Sequence, residues 1–212
     1  VNIHVPTGEL YLSVFSQGPS ALGQGVAVFD AARNLISYDT IFSTGAISLA
    51  AANRISAFRV GNYKYVLGSF TSNSGSGCTL MGQSFNPGLT GGHRFSFVMK
   101  LDMANNLVWR KQINPTIATG QGIGAMYPGL HKGKLILTGQ MRMGIIVGSD
   151  TLPGTGVKPP IVLLDTLGNL QKMDYWQTNE QLPAIDAAGR IAVHNGSIYL
   201  GGIITDSIWG GS

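Results

Sequence analysis

The stretch Phe95–Ile113, with the sequence FSFVMKLDMANNLVWRKQI, reads as a strand, a turn and a second strand. Its first part alternates Ser96, Val98 and Lys100 with larger apolar residues, the period-two pattern of a strand with two unlike faces. Residues 102–106 break the pattern, and their Asp and Asn suit a turn because such side chains bond the local backbone and tolerate left-handed geometry. A strand rich in β-branched and aromatic residues resumes at Leu107. The stretch therefore predicts a β-hairpin.

The same hairpin pattern, Asp-x-x-x-Asn-Leu between two apolar strands, occurs three times. The copies are Asp30 to Leu35, Asp102 to Leu107 and Asp165 to Leu170. A marker strand recurs around them, at Glu9–Leu12, Lys64–Leu67, Lys134–Leu137 and Ser197–Leu200. The interval from each Asp to the next marker Leu is 37, 35 and 35 residues, whereas the interval from marker to Asp varies. Length variation confined to one connection is typical of loop insertions on a repeated scaffold.

A weaker strand precedes each marker, so the repeat predicts a unit of four antiparallel strands. These first strands are Asn2–Val5, Ile55–Val60, Ile123–Leu130 and Arg190–His194. Such units favour a sandwich, a barrel or a propeller, and their repetition favours the blade of a β-propeller. We therefore predict an all-β fold of about three and a half four-stranded blades. Their boundaries are 1–47, 48–115, 116–178 and, for the start of a fourth blade, 179–212.

Three segments resemble the bacterial β-propeller repeats known as SBBP repeats. They are Gly68-Ser-Phe-Thr71, the run from Gly91 to Asp102, and Asn106-Leu-Val-Trp109. The segment Val147–Gly156 also looks like the insertion that this family carries before its third strand. Two positions depart from the family pattern, since Ser96 stands where the family has Asp and Asn105 where it has Gly. The resemblance implies a propeller fold in a large secreted or cell-surface bacterial protein, and it implies no activity.

An array of three and a half blades leaves a propeller ring open, because propellers close with roughly four to eight blades. An open ring exposes an unpaired edge at each end. We therefore expect that the chain is a fragment or that a partner protein completes it.

The insertions are predicted to be surface loops. Residues 71–94 are rich in Gly and Ser and predict a mobile loop. Residues 140–160 end in two prolines, which suit a loop or a sheet edge. The best helical candidate, Ser48 to Arg54, is short.

Composition narrows the class of protein. Charged residues make up 11% of the chain, against roughly a quarter in an average protein, and this low share suits short strands joined by turns.

The formal net charge is +4, but no basic run exceeds Arg110-Lys111, so we expect no nucleic-acid partner. No apolar run approaches the length of a membrane span, and we expect none. The single Cys78 rules out an internal disulfide.

The sequence offers no constellation of catalytic residues. We interpret the repeated Asp and Asn as structural turn residues, since a catalytic group is rarely repeated in every unit. These residues are Asp30, Asn34, Asp102, Asn106, Asp165 and Asn169. We interpret Trp109 and Trp176 as packing residues between blades. We expect no catalytic site, metal site or cofactor.

The other candidate motifs are weak. The four histidines are His4, His93, His131 and His194, and they lack metal-site spacing. His4 and His194 fall at equivalent strand positions, which favours a structural role. Gly120 to Gly124 resembles a nucleotide loop only in part, and no helix follows it.

Two classes of function remain open from the sequence. The first is a non-enzymatic binding scaffold outside the cell or in the periplasm, as the SBBP resemblance implies, and it could serve a surface secretion or adhesion assembly. Its partner would be a protein that covers an open edge or contacts the surface loops. The second is an enzyme propeller, since Asp102 to Trp109 is faintly similar to the repeats of quinoprotein dehydrogenases.

Overall fold

The computed structural model describes residues 2–4, 7–15, 24–41, 43–44, 47–48, 56–72, 78–85, 93–117, 123–141, 144–154, 159–175, 185–194 and 197–204. These residues form strands and turns, with no helix among them. The all-β prediction is therefore confirmed. The helical candidate at residues 48–54 lies almost wholly outside the described residues, and Ser48 itself is in a strand.

The strands follow the predicted repeat. Unit one contains β1 (Asn2–His4), β2 (Glu9–Phe15), β3 (Gln24–Phe29) and β4 (Leu35–Ile41), followed by the short β5 (Ser43–Thr44) and β6 (Ile47–Ser48). Unit two contains β7 (Ser56–Val60), β8 (Tyr63–Ser72), β9 (Cys78–Leu80), β10 (Gln83–Phe85), β11 (His93–Asp102) and β12 (Leu107–Pro115). Unit three contains β13 (Ile123–His131), β14 (Lys134–Met141), β15 (Ile145–Val147), β16 (Asp150–Leu152), β17 (Pro160–Leu164) and β18 (Leu170–Tyr175). Unit four contains β19 (Ile185–His194) and β20 (Ser197–Ile204).

Each complete unit is an antiparallel sheet in which sequential strands are neighbours. The orders are β1-β2-β3-β4 in unit one, β7-β8-β11-β12 in unit two and β13-β14-β17-β18 in unit three, and β19 pairs with β20 in unit four. None of the described sheets closes on itself. The strands and their order agree with the predicted four-stranded unit, and the propeller arrangement stays a prediction.

The register of unit two corrects the predicted alignment of the marker strands by one residue. The first two strands of each unit meet across a turn, where the paired residues are His4 with Glu9, Val60 with Tyr63, His131 with Lys134, and His194 with Ser197. Counted from these pairs, Val66 is the equivalent of Leu12 and Leu137, and Leu67 lies on the opposite face of the sheet. The similarity between the two Lys-initiated markers was misleading because a shift of one residue reverses every side chain.

Two apolar clusters join neighbouring sheets face to face. The cluster between units one and two contains Tyr11, Val26, Val28, Ala57, Val66, Phe85, Phe95, Phe97, Met99 and Leu101. The cluster between units two and three contains Tyr65, Leu67, Val98, Ile113, Ile123, Met126, Leu135, Leu137, Ile145, Val147, Leu152, Val162 and Leu164. We call the face that packs on the preceding unit the front face, and the face that packs on the following unit the back face.

The sheet of unit two is buried on both faces. Phe97 on its front face and Val98 on its back face are both fully buried. The polar residues of β11 are buried as well, since Ser96 and Lys100 lie on the back face and retain 0% and 6% of their surface. The two unlike faces that the sequence predicts are therefore both interior, and the polar one contacts unit three.

The two longer insertions contain hairpins. In unit two β9 pairs with β10, and in unit three β15 pairs with β16. Each hairpin also pairs with the preceding unit, β9 with β5 and β15 with β12. Phe85 and Leu152, at the ends of the two hairpins, are buried in the two clusters. Within the mobile loop predicted for residues 71–94, residues 78–85 instead form a packed hairpin that Phe85 anchors. Residues 73–77 and 86–92 of that loop lie outside the described residues.

Candidate functional site

The three Asp turns have one geometry. In each turn, one carboxylate oxygen accepts the backbone N–H of the Asn four residues later, at 2.7 Å for Asp30 and 2.8 Å for Asp102 and Asp165. The other oxygen accepts the side-chain amide of the same Asn, at 2.8–3.1 Å. The backbone N–H of each Asp donates to the carbonyl of that Asn. The hydrogen-bonding capacity of these side chains is thereby spent inside the turn.

These hydrogen bonds lower the pKa of all three carboxyl groups. The donors are the side-chain amide and the backbone N–H of the following Asn, and the backbone bond contributes most at Asp165. Each carboxylate is thereby held in its charged form. A lowered pKa is the opposite of what a general acid working near neutral pH requires.

We expect the turns to make the chain sensitive to acid. In the folded chain, the pKa of each turn Asp lies below the unfolded value of about 3.9. The contribution of these carboxylates to the free energy of unfolding is therefore complete above that value, and it is lost as pH falls through the folded pKa. Denaturant titrations at pH 7, 4 and 3 should show the loss below about pH 4. In Asp102→Asn the loss between pH 4 and 3 should be smaller. An equal loss in that variant would contradict a role for Asp102.

The residue before each turn Asn adopts a left-handed backbone. The φ angles are 69° at Arg33, 68° at Asn105 and 82° at Gly168. Gly adopts this conformation without strain, and Asn tolerates it better than most residues. Arg33 is therefore the strained member of the three.

We expect Arg33→Gly to raise the free energy of unfolding by up to about 1 kcal/mol, because it relieves this strain. Asn105→Gly is the matched comparison. It keeps the φ angle but loses a hydrogen bond to Asp39 (3.0 Å), so it should be neutral or destabilising. Urea denaturation of both variants measures the difference, and a destabilised Arg33→Gly would contradict the strain argument.

The turns of units two and three also reach the preceding unit. From the turn of unit two, Asn105 donates to Asp39 in β4. In the turn of unit three, the carbonyl of Thr166 accepts from Nζ of Lys100 (2.9 Å) and from Nε1 of Trp109 (3.0 Å). Trp109 thus joins two units, as predicted, whereas Trp176 lies outside the described residues.

Lys64 and Asp39 form an ion pair between units one and two. Their side chains approach to 2.8 Å and retain 8% and 18% of their surface. A small cleft beside them is lined mainly by apolar residues, Val26, Ala57, Val66, Met81 and Leu101. The cleft holds about 10 Å³, which is space for roughly one water molecule. It is therefore too small for an organic cofactor.

A second ion pair joins β2 of unit one to β7 of unit two. Nη1 of Arg59 lies 2.7 Å from both carboxylate oxygens of Glu9, and the hydroxyl of Tyr11 donates to the same carboxylate. Burial acts to raise the pKa of Glu9, but the hydrogen bonds from Arg59 and Tyr11 outweigh it and the net pKa is lowered. Burial and the nearby Glu9 raise the pKa of Tyr11 well above its usual value. The charged Glu9 therefore joins the two units through Arg59, and Tyr11 supports Glu9 from within the same strand.

Unit three is tied to unit two by Ser96 and Lys100. The hydroxyl of Ser96 donates to the carbonyl of Ile123 at 2.5 Å. Lys100 lies 4.0 Å from the centre of the Tyr63 ring, in cation–π geometry. Burial lowers its pKa. The polar face of β11 therefore serves as the contact surface between two sheets.

No group of three or more His, Cys, Asp or Glu side chains in the described part of the chain could hold a metal ion. The backbones of His4, His131 and His194 occupy the same register position in their units, as predicted for His4 and His194. Nothing is described of the side chains of Cys78 and His93, and the segment 120–122 lies outside the described residues.

Sequence reasoning missed the Lys64–Asp39 and Arg59–Glu9 pairs, because their partners are 25 and 50 residues apart.

The fold and these contacts define an all-β protein of repeated antiparallel sheets held together by apolar clusters and buried polar pairs. No family model matches the chain, and neither a curated protein nor a solved structure matches it. The resemblance to SBBP repeats therefore stays a prediction. No helix among the described residues is long and apolar enough to cross a membrane.

Proposed function

We propose that the chain is part of a β-propeller that serves as a non-enzymatic binding scaffold outside the bacterial cell or in the periplasm. Three features support the propeller. The units are four-stranded antiparallel sheets, the sheets pack face to face in chain order, and the sequence resembles SBBP repeats. The resemblance also supports the location, and a role in a surface secretion or adhesion assembly belongs to the same proposal.

One observation carries the scaffold function: five polar side chains on the strands make hydrogen bonds or ion pairs between units. Asp39, Lys64, Ser96, Lys100 and Trp109 each bond to a neighbouring sheet. The units differ instead in the length of their insertions, which carry hairpins in units two and three. Rigid repeats with variable connections are the usual basis of a binding surface.

Binding would use the insertion hairpins and the tips of the Asp turns. Leu167 and Met103 project from two of these tips and are exposed at 73% and 43%. Exposed apolar side chains on ordered turns are suited to contact a protein partner. The partner is therefore proposed to be a protein.

The location is tested on intact cells that produce the full protein. Protease added outside should remove the signal of an antibody raised against residues 1–212, while a cytoplasmic control protein stays intact. In a bacterium with an outer membrane, the signal could become accessible only after that membrane is permeabilised, which would indicate the periplasm. A signal protected under both conditions would contradict the proposal.

The alternative function, a quinoprotein enzyme, is tested with the purified chain. A bound quinone gives an absorbance band in the near ultraviolet or visible range. We expect no such band after incubation with a quinone cofactor and removal of the excess. A stoichiometric band would favour the enzyme.

The ring arrangement itself is tested by electron microscopy of the purified protein, where sheets arranged radially are expected.

A further inference from the structure

The front faces of the units use the same set of strand positions. In unit three, the six positions that face unit two are Leu135, Leu137, Val162, Leu164, Leu170 and Met173. All of them belong to the second apolar cluster or pack against it. In unit two, four of the six equivalents, Val66, Met99, Leu101 and Leu107, belong to the first cluster or pack against it. The other two are Lys64 and Arg110. The front face is therefore an established interface between consecutive units.

Among the described strands, no sheet packs on the same front face of unit one. Strand pairing places six apolar residues on it, Leu10, Leu12, Ala27, Phe29, Leu35 and Tyr38. Leu12, Leu35 and Tyr38 are exposed at 38%, 59% and 45%. Val66 and Leu137 are the equivalents of Leu12 in units two and three, and they are only 4% and 0% exposed. The face thus has the residues of an interface, and none of the described sheets covers it.

On the back face of unit four, the described side chain of Tyr199 is exposed. In the second strand of each unit, one position lies two residues after the first paired residue of that strand. It is occupied by Tyr11 in unit one, Tyr65 in unit two, Ile136 in unit three and Tyr199 in unit four. The first three are buried between sheets, at 1%, 4% and 1% exposure. Tyr199 is 56% exposed. Units one and four therefore expose apolar side chains at positions that are buried between the inner units.

We propose that the front face of unit one binds the back face of unit four of a second copy of this chain. The occupant follows from continuity with the interfaces inside the chain, where a front face always meets a back face. Association of this kind is heterologous, so a pair leaves one free face at each end and can extend or close into a ring. This self-association requires neither the extracellular location nor the proposed binding partner. A negative result would therefore not contradict the proposed function.

The test measures self-association of the purified chain by light scattering and sedimentation over a range of concentrations. Wild type should form dimers or larger species as concentration rises. Leu12→Glu blocks the front face and Tyr199→Glu blocks the back face. Because each places a charge in an apolar interface, each should weaken association by at least roughly a hundredfold. Ile117→Glu, at a position that follows β12 in unit two and is 44% exposed, is the matched control and should associate as wild type does.

Mixing the two variants distinguishes front-to-back association from contact between two front faces. Leu12→Glu keeps a free back face and Tyr199→Glu keeps a free front face, so their mixture should form a one-to-one pair and nothing larger. Circular dichroism verifies folding, and Leu35→Glu replaces Leu12→Glu if the latter does not fold. A monomeric wild type would overturn the proposal. So would a Tyr199→Glu variant that associates like wild type, which would indicate contact between two front faces.

Discussion

Replacing Asp39 by Ala should destabilise the chain by about 2–4 kcal/mol. The substitution removes the partner of Lys64, whose side chain is 8% exposed, and leaves its ammonium group without a counter-charge between two sheets. Breaking a buried pair from one side costs roughly 3–5 kcal/mol, and the residual exposure of Asp39 reduces that figure. Asn105 loses its acceptor in the same step. Urea denaturation at neutral pH measures the change.

The control for Asp39→Ala is Lys64→Met, which removes the charge and fills similar space. Replacement of both partners of a buried pair by apolar groups is often neutral, whereas removal of one partner leaves the other charge uncompensated. Lys64→Met should therefore also destabilise the chain, but less than Asp39→Ala does, because Asp39 is 18% exposed and keeps the hydrogen bond from Asn105. The double variant should recover much of the loss seen in Asp39→Ala. If Asp39→Ala alone were neutral, Lys64 would be solvated in its absence and the pair would not contribute to the contact between the units.

Replacing Gly168 by Ala should cost about 2–4 kcal/mol. Gly168 has a φ of 82°, and a Cβ built there would lie 2.7 Å from the Trp109 ring. The left-handed conformation costs a side chain roughly 1 kcal/mol, and insertion of a methyl into a packed contact adds roughly 1–3 kcal/mol. The clash would push Trp109 away from Thr166, so tryptophan fluorescence should change together with the free energy of unfolding.

Gly133→Ala isolates the contribution of the Trp109 contact. Gly133 has a φ of 74° in the turn between β13 and β14, and no atom lies within 4 Å of a Cβ built there. This variant should therefore cost only the roughly 1 kcal/mol of backbone strain. Equal losses for the two variants would mean that Trp109 does not pack closely on the turn of unit three.

Local structure could be predicted well from the sequence. The strands on either side of each Asp turn, such as β4 and β12, start where the pattern predicts them, and the turn residues Asp102 and Asn106 bond to each other. These features depend on neighbours a few residues apart, whose types are visible in the sequence. The hairpin at residues 78–85 was missed because its strands are only three residues long and flanked by Gly and Ser.

The contacts between units could not be predicted. Lys64 was aligned with Lys134 by residue type, although the structure places it one position later in its strand, on the front face. Only the partner strand decides this, because a one-residue shift is invisible in a strand whose two faces are both apolar. The exposure of Leu12 and Tyr199 likewise depends on which sheets are present on either side.

The sequence alone determined that the chain consists of short strands, where its Asp turns lie, and that one four-stranded unit is repeated. Alternation of side chains and turn chemistry act over a few residues, so they can be read directly along the chain. The tertiary structure alone decided which face of each sheet meets its neighbour, which charges are paired, and which apolar side chains, such as Leu12 and Tyr199, are exposed. Those outcomes arise from contacts between distant segments, and in unit two both Phe97 and Val98 are equally suited to burial.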